Sequence, residues 1–192
     1  MNQPASKPRL VRRVLRWLFR QCENCLALIG LLALIYFFCF DLSIVTSASM
    51  SPTLRGTSWR NGDHVLTEKI SYRLRRPARW EVIRIRRDNG VKVMKRVVGL
   101  PGETIQVRQG GRIFIDGRPV DPPAGFDCPK YRPERNLRDD RAVDCGRGYY
   151  VLGDDTKDSD DSRYTGPVPP EDIIGRAWLI VAPRSRVGFV NP

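Results

Sequence analysis

Histidine is nearly absent from this chain. His64 is the only one in 192 residues, and it sits in NGDHVL at a turn-to-strand junction, where a solvated side chain is the ordinary outcome. Any activated serine must therefore look elsewhere for its base. Cysteine is sparse too, with five residues, and Cys22, Cys25 and Cys39 lie beside or within one apolar stretch. These thiols and one histidine give no four-ligand spacing for zinc, so no metal or other cofactor is expected. Internal repeats and low-complexity tracts are missing. So is any interleaving of aromatic and basic residues of the kind that reads nucleic acid. The net charge of +12 is scattered, and much of its N-terminal part is better explained by a lipid bilayer with an anionic surface.

Met1–Asn24 carries Lys7, Arg9, Arg12, Arg13, Arg16 and Arg20 against the single acid Glu23. Cys25–Phe40 follows without a charge. Counting on to Val45 gives roughly 20 residues, the length a helix needs to cross about 30 Å of hydrocarbon. Asp41 fits only at the far interface. The cations ahead of the run put the N-terminus in the cytosol and the bulk of the chain outside. The expected organisation is a basic cytosolic tail over 1–24, a single-pass anchor in a cell membrane over 25–45, and an extracytoplasmic domain over 46–192. A rival reading makes the same stretch a cleaved secretory signal, with Thr46-Ser47-Ala48 before a scission after Ala48. Intact mass separates them: the retained helix starts at Met1, the cleaved form at Ser49.

After the apolar run comes TSASMSPTL, Thr46–Leu54. Pro52 disfavours helical backbone at Ser51, so the helix must stop and the serines lie on accessible, extended chain. Ser49 is the candidate nucleophile, and it needs a base. VKVMKRVVGLPGE, Val91–Glu103, reads as a strand ending in a turn at Pro101-Gly102. Its alternation sets Lys95 on a face with Val91, Val93 and Val97, with Lys92, Met94 and Arg96 opposite. An ammonium group among valines must find a partner or lose its proton, and burial lowers its pKa towards the range of a base.

Three stretches in order, SASMSPTL at 47–54, KRVVGLPGE at 95–103 and GDDTKDSDDSRYTG at 153–166 behind an apolar helix, resemble the type I signal peptidases. These are membrane-anchored Ser-Lys proteases that remove signal peptides from exported preproteins. The resemblance implies Ser49 as nucleophile and Lys95 as general base. It implies an oxyanion hole from the Ser49 N–H and the Ser47 hydroxyl, Ser159 orienting the lysine, and Asp161 paired with Arg163 as a brace. Asp155 and Thr156 depart from the asparagine and arginine common in the family box, and Trp80-Glu81 stands where many members have Gly-Asp.

Short alternating runs separated by turns, with almost no helical periodicity after Thr46, predict a mainly β domain. They include DHVLTEK, WEVIRIR with Arg84 and Arg86 outward, the hairpin Glu103–Val120, YYVLGDD, and AWLIV as a closing strand. The resemblance sharpens this to coiled antiparallel β-sheets of the signal peptidase type, with one N-terminal transmembrane α-helix. Residues 121–148 read as a surface insert whose Cys128 and Cys145 are candidates for a disulfide in an oxidising compartment. The acidic run after Gly153 lacks the glycine and terminal glutamate of an EF-hand loop. Other readings left open are a narrow-client maturation peptidase of a pilus or conjugation system, an inactive tethered domain, and a secreted polyanion binder.

Overall fold

A single helix, α1 (Lys7–Cys39), takes up the basic tail and the apolar run. In this computed structural model, which describes residues 7–108, 111–123, 141–155, 157 and 159–190, every α1 side chain from Val11 to Phe38 is exposed. Val11–Cys39 is long and apolar enough to cross a membrane. The helix ends at Cys39 and does not run on to Val45. Phe40–Ile44 is instead a strand, β1, in which Asp41 and Ser43 alternate with outward Leu42 and Ile44. Its period of two was masked by its apolar composition.

Met1–Cys39 and Phe40–Pro192 are two compact units. The second is antiparallel throughout its described pairings. Its strands are β1, β2 (His64–Glu68), β3 (Val82–Arg86), β4 (Lys92–Gly99), β5 (Thr104–Arg108), β6 (Arg112–Ile115), β7 (Arg118–Val120), β8 (Val143–Asp144), β9 (Tyr150–Leu152), β10 (Ile173–Ala182) and β11 (Gly188–Phe189). The larger sheet has the order β1-β2-β10-β3-β4-β9, with β11 on β10, and the smaller the order β7-β6-β5-β8. The β6–β7 turn is Asp116-Gly117, both at positive φ (49° and 76°), the geometry of a type I′ hairpin.

Three expectations change. Ala177–Val181 belongs to β10, which is a central strand paired with β2, β3 and β11 and does not close an edge. The basic stretch at 73–79 begins inside a short helix, α2 (Ser71–Leu74). Arg84 is not outward but buried, because the larger sheet curls and both faces of β3 are covered. Of the expected insert, 124–140 and with it Cys128 lie outside the described residues. Val143–Asp144 is part of the small sheet, and Cys145 is a buried free thiol beside Ile105, its pKa pushed up to about 11 by burial.

The core that matters for the site gathers Val45, Met50, Leu54, Val65, Val82, Ala177 and Ile180, with Met94 against it. Met50 and Leu54 lock the loop following Ser49 from both ends. Burying side chains of this size is worth about 1.5–3 kcal/mol each. That anchoring holds a three-serine loop in one conformation.

Candidate active site

Ser49 lies in a single turn of 3₁₀ helix, Ala48–Met50, between extended Ser47 and Ser51. Pro52 does exclude helix at Ser51, but one tight turn survives ahead of it. An amide in the first turn of such a helix has no partner within the helix. The loop is tied to the 153–166 segment by Asp155 N–H, which donates to the Ser49 carbonyl at 3.0 Å.

Lys95 approaches from β4, opposite Ile83 of β3. It is 2% exposed, and its Nζ lies 3.0 Å from Ser49 Oγ and 3.1 Å from Ser159 Oγ. Ser159 Oγ donates to Asp161 Oδ2 at 2.7 Å. A hydroxyl has one proton, so Ser159, having given its own to Asp161, can only accept from Lys95. Asp161 is fixed in turn by Gly153 N–H at 3.0 Å and by the Arg163 guanidinium at 2.8 and 2.9 Å. Gly153 admits no side chain: a Cβ there would sit 2.1 Å from Ser159 Oγ and 2.6 Å from the Ser49 carbonyl.

Burial pushes the Lys95 pKa down to about 8. The charges of Asp161 and Asp160 oppose this; those of Arg87 and Arg163 assist it. Each carboxylate is paired with one of those guanidiniums, Asp161 with Arg163 and Asp160 with Arg87. The two pairs largely cancel at the amine, so desolvation decides the outcome. Not all the valines contribute. Val97 is fully buried, whereas Val91 is exposed and precedes the strand.

Ser47 Oγ is 3.2 Å from Ser49 Oγ. Six expected residues, Ser47, Ser49, Lys95, Ser159, Asp161 and Arg163, thus form one bonded chain. Cys145 is not part of it. Thr156 lies outside the described residues, and Asp155 contributes through its backbone.

Sequence reading gave no role to Arg96. It is fully buried, its Nε and Nη2 each 2.8 Å from the carboxylate of Asp154. It also donates to the Trp80 carbonyl at 2.6 Å and to Thr53 Oγ1 at 3.1 Å. Thr53 is in the serine loop, so this ion pair links β4 and the acidic loop to the nucleophile's own segment. Trp80, at the position where the resemblance led one to expect glycine, has φ of 72°, a region that favours glycine. Its ring is buried in the core with Val98 and Ile105, and its carbonyl is held by Arg96. Packing and that bond offset the strain, of order 1–2 kcal/mol.

A family model described as "Signal peptidase, peptidase S26" matches residues 18–182. A probable signal peptidase I-2 of Synechocystis is 35% identical over 167 residues, covering 80% of this chain and 68% of its own. A signal peptidase I of Leptolyngbya laminosa is 35% identical over 166 residues, 81% of this chain and 75% of its own. A solved signal peptidase I from Enterococcus faecalis is 29% identical with a TM-score of 0.42, covering 53% of this chain and 97% of that one.

Proposed function

Because the chain belongs to the signal peptidase family, peptidase S26, we propose that it cleaves the signal peptide from preproteins by acyl transfer to Ser49, with neutral Lys95 as general base. The observation that carries this reading is a buried amine 3.0 Å from a serine hydroxyl. A neutral Lys95 directs an N–H to Ser159, which can only accept, and keeps its lone pair for the Ser49 proton. Ser49 Oγ attacks the scissile carbonyl as Lys95 takes that proton. The oxyanion meets the Ser49 N–H and the Ser47 hydroxyl. The ammonium then protonates the leaving amine, and water, deprotonated by Lys95 in its turn, releases the acyl group.

The partners are preproteins and a bilayer. Among the described residues β9 pairs with β4 only from Arg96 onward, so Lys92–Lys95 offers an edge to which an extended peptide adds as a strand. Small side chains at the first and third positions before the cut are the expected preference. The basic tail stays in the cytosol, the apolar part of α1 spans the membrane once, and the β unit works outside. Incubating the purified full-length protein in detergent with a preprotein, and mapping the cut by mass spectrometry, tests the reading. One cut after a small-x-small site is expected. No cut by intact protein, with no labelling of Ser49 by a serine-directed probe, would leave an inactive tethered domain. A mature chain starting at Ser49 would mean a removed signal.

Two outcomes follow from the geometry. The kcat/KM profile should rise with pH through about 8, where Lys95 loses its proton; a profile flat from pH 5 to 10 contradicts a lysine base. Ser47→Ala should lower kcat by roughly 10²-fold with little change in KM, as for loss of an oxyanion donor. An unchanged kcat removes Ser47 from that role.

A further inference from the structure

Between β3 and β4 the chain turns at Arg87–Val91. The Gly90 N–H donates to the Arg87 carbonyl at 2.7 Å, and the Arg87 N–H donates to the Val91 carbonyl at 2.9 Å. Both backbone groups of Arg87 are thus committed to the turn, and Gly90 supplies the positive φ it requires, 79°. Arg87 stands on a fixed base. Its guanidinium leaves the turn and closes on Asp160, 73 residues further on, with Nη1 donating to the carboxylate Oδ2 and Nη2 to the backbone carbonyl.

By exposure alone this is a surface ion pair: the Asp160 side chain is 65% exposed and that of Arg87 21%, and one such pair contributes little to folding. Two features give it another role. The planar fork takes a carboxylate and a carbonyl of the same residue, so it fixes the backbone of Asp160 as well as its side chain. That backbone joins Ser159, whose hydroxyl accepts from Lys95, to Asp161, which fixes Ser159. Gly153 and Arg163, the partners of Asp161, belong to the same stretch of chain and hold the acidic loop to itself. Arg87 belongs to the hairpin that carries Lys95, so its bonds hold the loop to the base. A cavity of about 260 Å³, lined by Asp88, Asn89, Asp161 and Pro167 among others, lies between this turn and the segment after the acidic loop. The turn therefore meets the loop through a side chain and not through packing.

Given the Ser49–Lys95 chemistry proposed above, on which the inference rests, we infer that Arg87 is a positioning residue: by gripping Asp160 it keeps Ser159 Oγ in register with Lys95 Nζ, and through Ser159 it keeps the lone pair of the amine turned to Ser49. A lysine needs such a guide, because its nitrogen ends a flexible four-carbon stem and its donors rotate. The pair also acts by charge. Arg87 lowers the pKa of Lys95 and Asp160 raises it, beside the same opposition between Arg163 and Asp161. Arg96, on the other face of β4, has its own carboxylate in Asp154. Position and charge are therefore separable by substitution.

The test uses the full-length protein in detergent with Arg87→Lys, Arg87→Gln and Asp160→Asn, each checked by circular dichroism and by its urea midpoint, which should stay near wild type for so exposed a pair. Arg87→Lys keeps the charge and loses the fork. Its plateau kcat on a preprotein should fall at least about 10-fold with KM unchanged, while kcat/KM still rises through about pH 8. Arg87→Gln should show the same fall in kcat and a rise moved to higher pH, since Asp160 is left unpaired near the ammonium. Asp160→Asn keeps both acceptors and loses the charge, so it should keep most of its plateau kcat while the rise moves to lower pH. Wild-type kcat in Arg87→Lys, a pH shift in Arg87→Gln with no loss of kcat, or a loss confined to KM overturns the inference. Hydrogen–deuterium exchange decides the matter even if no preprotein is cut. The amides of residues 159–162 should exchange roughly 10-fold faster in Arg87→Lys than in wild type at equal global stability, and equal exchange overturns the clamp. Failure of wild type to cut counts against the peptidase reading alone.

Discussion

Lys95→Met should abolish preprotein cleavage, by at least about 10⁴-fold in kcat, and at the same time yield a more stable protein below pH 8. Both effects have one cause. Burial lowers the pKa of Lys95 from its ordinary 10.5 to about 8, so below pH 8 folding must place an ammonium where an amine is preferred. The difference corresponds to about 3 kcal/mol. As pH climbs from 8 to 10.5 the unfolded chain still holds the proton and the native chain has released it. Wild-type stability therefore rises relative to the variant across that window, and the variant's advantage shrinks. Ser49→Ala should lose cleavage to a similar degree but keep this pH-linked stability, since its lysine is still buried. Urea unfolding at pH 6 and pH 10, run beside a cleavage assay, reads both. Substantial cleavage by either variant would refute the pair. A Lys95→Met protein with the wild-type dependence of stability on pH would show that the lysine is not desolvated.

Two members of the site were legible in the residues themselves, Ser49 as a serine on chain that Pro52 turns out of helix and Lys95 as a cation aligned with apolar neighbours. Ser47, Ser159, Asp161 and Arg163 were reached only through the resemblance of the motifs that hold them, since an acidic run by itself reads as a solvated turn. What stayed hidden depends on surfaces that only the tertiary fold covers. Alternation along Lys92–Gly99 correctly separates Lys95 from Arg96, but it says which residues share a face, not whether that face meets water. β4 is buried on both sides from Lys95 to Gly99, so Arg96 and, on β3, Arg84 are interior where an outward reading was natural. β1 was lost to composition: FDLSI after an apolar run extends a helix on paper, and only pairing with β2 makes it a strand. The central place of β10 was equally illegible, because its partners are far away in sequence. Trp80 is the reverse case. Its departure from the family's glycine was visible at once, while its consequence, a tryptophan held at positive φ with Arg96 on its carbonyl, needed the fold.

That hidden arginine gives the second large effect. Asp154→Ala should destabilise the protein by about 3–5 kcal/mol, because it leaves a fully buried guanidinium without its carboxylate. Against a total stability of about 5–15 kcal/mol, this brings the chain close to its limit. Loss of activity in that variant would by itself mean little, since a partly unfolded enzyme is also slow. The Arg96→Met, Asp154→Leu double variant separates the two causes. It removes both charges and fills the space, which should recover most of the stability measured by urea unfolding. It does not restore the bonds from Arg96 to the Thr53 hydroxyl and the Trp80 carbonyl. If those bonds hold the serine loop in register with Lys95, the double variant folds well and still cleaves at least about 10²-fold more slowly, with the loss in kcat and not in KM, as expected when a small displacement breaks alignment. Full activity in a stably folded double variant would reduce the Arg96–Asp154 pair to a packing element and leave Met50 and Leu54 as the residues that hold the nucleophile in place.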